Sequence, residues 1–165
     1  IKNAISDGLD ADFSNGAVTG GIFENIGYVG GGDGIDLSGA QVTITGTQFL
    51  NIADKAISVG EESYLTSSKL SIQKVGVGIV SKDGSHVTVQ NSKIMGAKLA
   101  GLMAYTKKPV YPAATLRAKD IIFKHSTPNA LVQNGNEVML SGTLVEPSEF
   151  DINKLYKTSM KSGLK

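Results

Sequence analysis

A pair of residues, one small and one branched apolar, returns along the chain at Gly8-Leu9, Gly34-Ile35, Ala56-Ile57, Gly78-Ile79, Gly101-Leu102 and Ala130-Leu131. The apolar members stand 26, 22, 22, 23 and 29 residues apart. A second column, Phe23, Phe49, Ile72, Ile94 and Phe123, advances by 26, 23, 22 and 29. Two apolar columns that drift together define two walls of one repeated unit. A period of this size belongs to stacked architectures.

Within a unit the apolar period is two. Leu9, Ala11 and Phe13 alternate with Asp10, Asp12 and Ser14, and Val42 and Ile44 alternate with Thr43 and Thr45. That is the strand pattern, with inward and outward side chains in turn. Parallel strands joined by helices need crossovers of a dozen residues or more, and a ~22-residue period holding three short strands leaves no room for them. The expected fold is therefore all-β: a right-handed parallel β-helix of about six coils, stacked ~4.8 Å apart. A β-propeller fits less well, because its repeats are ~40–50 residues long.

Local signals refine this picture. Asn15-Gly16 and Asp83-Gly84 read as turns, since Asn, Asp and Gly tolerate positive φ. The polar stretch 61–68 in coil three has no register that the pattern fixes. The insert Lys107-Lys108-Pro109-Val110-Tyr111-Pro112 carries two prolines, which exclude a central strand. It should loop off the body. Asn25 and Asn51 follow Phe23 and Phe49 at the same offset and predict a hydrogen-bonded turn ladder. His125 falls in the same column and reads as structural, and His86 as exposed; neither has a second His at metal-ligand spacing. The repeats are expected over 1–146, with 147–165 as a capping tail, a short helix or extended segment whose Ile152, Leu155 and Tyr156 cover the open edge of coil six. Residues 1–6 are too short for a capping helix. The expectation is that further coils or another domain precede coil one, or that coil one self-associates.

Net charge is +1, with 15 Lys and a single Arg, Arg117. That gives no electrostatic case for nucleic acid, which Arg-rich basic surfaces bind. The absence of Cys removes disulfides and thiolate metal sites. No apolar run approaches the ~20 residues of a membrane span. Twenty glycines suit a fold made of turns.

Chemistry on a solenoid comes from side chains that face outward. Beside the first apolar column stand Asp10, Asp36, Ser58, Val80, Met103 and Val132. Two residues on stand Asp12, Ser38, Gly60, Lys82, Tyr105 and Asn134. Before it stand Asp7, Asp33, Lys55, Val77, Ala100 and Asn129. The face is acidic at its N-terminal end and apolar at its C-terminal end. Asp10 over Asp36 stacks like charges, which a hard cation such as Ca²⁺ on those two residues, or turn hydrogen bonds, would offset. No other cofactor is indicated.

The run Gly32-Asp33-Gly34-Ile35-Asp36, Ala53-Asp54-Lys55-Ala56-Ile57, Gly76-Val77-Gly78-Ile79 and Gly101-Leu102-Met103-Ala104-Tyr105 resembles the polygalacturonase-type glycosidases of the pectin-lyase-like superfamily. The resemblance covers coils two to five. It implies catalytic carboxylates at Asp33 and Asp54. The second Asp of the family's paired motif is Lys55 here, the His is Val77, the Arg is Met103 and the Lys is Tyr105. The chain also resembles the bacterial right-handed β-helix repeat proteins of extracellular and cell-surface type.

Three functional expectations follow. The first is a non-catalytic extracellular or cell-surface module that takes polysaccharide through Asp10, Asp12, Asp36, Lys55, Lys82, Tyr105, Lys107 and Tyr111. The alternative is a divergent glycosidase, lyase or epimerase that uses Asp33, Asp36 and Asp54. A purely structural spacer is the third.

Overall fold

A computed structural model describes residues 1–158 and 160. The strands in chain order are β1 (Leu9–Asp12), β2 (Asn15–Thr19), β3 (Ile22–Ile26), β4 (Ile35–Ser38), β5 (Gln41–Thr45), β6 (Gln48–Gly60), β7 (Tyr64–Ser68), β8 (Ser71–Lys82), β9 (His86–Tyr105), β10 (Thr115–Lys124), β11 (Ala130–Val132), β12 (Glu137–Leu140) and β13 (Thr143–Leu144); one helix, α1 (Ile152–Thr158), follows. They wind into a parallel β-helix of three walls. The long strands β6, β8 and β9 run around corners and serve two or three walls each.

The first wall stacks Leu9, Ile35, Ile57, Ile79 and Leu102 in parallel register, as the repeat predicts. The third wall stacks Phe23, Phe49, Ile72, Ile94 and Phe123, and the Phe23 and Phe49 rings lie 5.2 Å apart and nearly parallel. The small residue of the repeat is explained by these two walls together. A Cβ on Gly34 would stand 2.5 Å from the Ala56 carbonyl oxygen and 2.8 Å from the Phe49 ring. In coil three, where Ile72 replaces the aromatic, the small residue is Ala56.

Most corners turn through a left-handed residue. After the third wall these are Asn25, Asn51, Lys74, Gly96 and His125. The Asn51 Nδ2 donates to Asn25 Oδ1, and the Asn25 Nδ2 to Asn3 Oδ1, each at 3.0 Å. The predicted Asn ladder is present, and His125 occupies its column as a corner residue. Asn tolerates this backbone better than other non-glycine residues.

Four expectations need correction. Phe13 does not point inward: β1 ends at Asp12, Phe13 sits at the first corner with φ 48°, and its ring is exposed. Asn15-Gly16 therefore opens a strand and is no turn. In coil six Ala130, not Leu131, pairs with Leu102, so Leu131 joins Met103 in the outward column and Val132 turns inward. Ala130, Leu131 and Val132 are all apolar, so alternation carries no information there. The fourth concerns α1. The Asp151 carboxylate accepts the Lys154 N–H at its start, as an N-cap does. Ile152, Leu155 and Tyr156 pack with Phe150 and Met160 on Val77, Val80, Ala100, Met103 and Tyr105, on the flank of the stack rather than on the edge of coil six. That flank is where the outward columns turn apolar, so an amphipathic turn finds more apolar surface there. The edge of coil six is met by β13, antiparallel to β12, and by Ser148 bridging Gln133. Positions 159 and 161–165 of the expected tail lie outside the described residues.

Candidate functional site

The outward face of the first wall is divided by α1. In coils four and five the outward residues Val77, Val80, Ala100, Met103 and Tyr105 are fully buried beneath the helix. Over the N-terminal coils the face stays open and forms a groove of about 310 Å³, lined by Ser6, Asp7, Gly31, Gly32, Asp33, Asp36, Asp54, Lys55, Lys82, Lys107 and Tyr156.

A ladder builds its floor. The Asp7 carboxylate accepts the Asp33 N–H at 2.6 Å, and the Asp33 carboxylate accepts the Lys55 N–H at 2.9 Å. Each Asp thus ties its coil to the next. A break in the β6–β8 register between Ile52 and Lys55 lies beside Asp54, and such irregularities re-aim side chains. The chain packs closely here: a Cβ on Gly76 would meet the backbone oxygens of Met160 at 2.5 Å and Asp54 at 2.6 Å. The result is that Lys55 Nζ reaches Asp54 Oδ2 at 2.7 Å and the two Asp33 oxygens at 3.2 and 3.4 Å, with Lys55 2% exposed. Burial works to lower the Lys55 pKa, but the Asp33 and Asp54 carboxylates outweigh it and hold the ammonium above its ordinary range.

Lys82 forms the far wall. Its Nζ donates to Ser58 Oγ at 2.9 Å and lies 3.7 Å from Asp36 Oδ1. Burial pushes the Asp36 carboxyl up, against the pull of Lys82. Asp10 and Asp36 are register partners, and burial, followed by the charges of Asp12, Asp7 and Asp33, also raises Asp10. Among the described residues no group of three or more His, Cys, Asp or Glu is placed to hold a metal.

The insert of coil five delivers Lys107. It leaves the strands as expected, but it is fastened: Asp83 Oδ1 accepts the N–H groups of Lys107 and Lys108, both at 2.7 Å, and Lys108 pairs with Glu61. Lys107 Nζ then stands 4.3 Å from the centre of the Tyr156 ring, within range of a cation–π contact. Burial, then Lys82 and Lys55, lower its pKa. The same ring faces Lys55 Nζ at 5.2 Å.

Of the residues singled out in the sequence, Asp33, Asp36, Asp54, Lys55, Lys82 and Lys107 meet in this groove. Asp10 and Asp12 lie on the same wall beyond its lining. Tyr105 is a correction: it is 0% exposed, its hydroxyl 2.7 Å from that of Tyr156, and burial drives its phenol well above the usual range. It supports Tyr156 and cannot itself face a ligand. Tyr111 also lies outside the groove lining, on the insert. Tyr156 is the groove residue that sequence reading assigned to a different surface. Its signal was the match between the helical spacing of Ile152, Leu155 and Tyr156 and the apolar outward columns of coils four and five. Asp83, the anchor of the insert, carries only a turn signal in the sequence.

The profile of the family described as right handed beta helix region matches residues 5–161. No curated protein and no solved structure gives a match. No helix among the described residues is long and apolar enough to cross a membrane.

Proposed function

We propose that this chain, which belongs to the right-handed β-helix family, is a non-catalytic module that binds polysaccharide in the groove over its N-terminal coils. One observation carries the reading. The two carboxylates that align with the catalytic motifs, Asp33 and Asp54, are both engaged as acceptors by the buried Lys55 ammonium. Acid–base hydrolysis of a glycosidic bond needs one carboxyl to give a proton to the leaving oxygen and a second to act as base or nucleophile. Here the pair holds a structural cation. What the groove offers instead is a row of donors and acceptors beside an aromatic ring, the kind of surface that sugar hydroxyls satisfy. Four carboxylates, Asp7, Asp33, Asp36 and Asp54, face three ammonium groups, Lys55, Lys82 and Lys107. That balance disfavours a polyuronide and favours an uncharged glycan. Polysaccharide binding implies work outside the cell or at its surface.

A second reading, a divergent glycosidase, lyase or epimerase, draws on Asp36. Its carboxyl is pushed up by burial, and its Oδ1 accepts no hydrogen bond. A glycan array distinguishes a binding module from a spacer. Binding to uncharged glycans should fall at least tenfold in Lys82→Ala and in Lys107→Ala. Absence of binding to any glycan would leave the spacer.

A further inference from the structure

The groove is open toward coil one and closed toward coil four. Polymer-binding faces on a solenoid can run the whole length of the stack, because each coil repeats the same outward positions. Here the run is cut. Val77, Val80, Ala100, Met103 and Tyr105, outward residues of coils four and five, are each 0% exposed beneath α1. The stop itself is polar and braced. The Tyr156 ring stands at the end of the groove, its hydroxyl against that of the buried Tyr105, and Lys107 closes over the ring from the anchored insert. The volume of the groove, about 310 Å³, lies at the lower end of the ~300–1,000 Å³ typical of small-ligand pockets. It has room for a sugar or two before the chain would meet α1.

We infer that the site recognises the end of a glycan chain. The terminal residue abuts Tyr156 and Lys107, and the rest of the chain leaves past Asp7 and coil one. This rests on the binding reading above and adds the direction and the part of the polymer that is bound. An internal segment would have to pass through α1. The face beneath the helix is mostly apolar, so displacing α1 would expose Val77, Val80, Ala100 and Met103, with only the Tyr105 hydroxyl to offer a sugar.

The test uses cello-, manno- and galacto-oligosaccharides of one to six units, titrated calorimetrically into the chain. For the series that binds, affinity should level off by the second or third unit. Modifying one chain end, by reduction to the alditol or by 4-O-methylation at the other end, should weaken binding at least tenfold, while modifying the opposite end leaves it unchanged. Tyr156→Ala should also weaken binding at least tenfold, and Lys119→Ala, on another wall, should not. Affinity that climbs with every unit to six and ignores both end modifications would overturn end recognition while leaving polysaccharide binding intact. Binding untouched by Tyr156→Ala would put the ligand elsewhere and overturn it as well. Failure of all three series to bind would overturn the binding reading itself, and end recognition with it.

Discussion

An Ile57→Asp variant should not fold. Ile57 is 0% exposed and lies in register between Ile35 and Ile79, so a carboxylate there would have apolar side chains on both sides along the ladder. Stacking is what makes the effect large. The side chain cannot turn to solvent without breaking two parallel ladders at once, and neither neighbouring coil brings a donor to that position. Burying an unpaired charge is among the few single changes that cost more than ~4–5 kcal/mol, against a total stability of ~5–15 kcal/mol for ordinary domains. Circular dichroism and solubility should report loss of the β signal or aggregation. Ile57→Val, which keeps the apolar contact, should cost only ~0.5–1.5 kcal/mol. A folded, soluble Ile57→Asp protein would contradict the register.

Lys55→Met should cost ~3–5 kcal/mol, the usual penalty for removing one partner of a buried ion pair. The penalty comes less from the lost attraction than from what remains. Asp33 is 6% and Asp54 5% exposed, and two carboxylates would then share a buried site without their common cation. The loss should therefore be reversible by further change. Lys55→Met combined with Asp33→Asn and Asp54→Asn removes the charges together and should recover most of the stability in chemical denaturation, because replacing a whole buried ion cluster is often near neutral. If the triple variant is as unstable as Lys55→Met alone, the cluster is not acting as a balanced charge set. The sign of the pH dependence follows from the raised Lys55 pKa. A cation whose folded-state pKa lies above its unfolded value contributes fully below the unfolded value, 10.5, and loses that contribution only as pH rises through the folded one. The Lys55 contribution should be constant across neutral pH and decline only in strong alkali.

How much of this was legible depended on contrast between inside and outside. Ile35, Ile57, Ile79 and Leu102 could be aligned because polar or small residues flank them, and the Asn25–Asn51 ladder followed from the same offset. Where both faces are apolar the alternation goes silent. That is why Leu131 was assigned inward when α1 leaves the outer face of coil six apolar too. Phe13 failed for a different reason: period two says which face a residue takes, not where the strand stops. The site was legible as columns, since Asp33, Lys55 and Lys82 fall on one wall by arithmetic. Its closure was not, because it depends on where a seven-residue helix docks. The apolar C-terminal half of the outward face recorded the presence of a cover without naming it.

Lys55 holds Asp33 and Asp54, the positions that resemble polygalacturonase carboxylates, in a buried ion cluster. The most direct test is product release, measured as new reducing ends and as unsaturated ends, from every glycan that binds, with the unmodified chain and with Asp33→Asn. The account predicts binding and no turnover by either protein. Turnover by the unmodified chain that Asp33→Asn abolishes, in a variant that still folds and still binds, would contradict it and make the groove an active site.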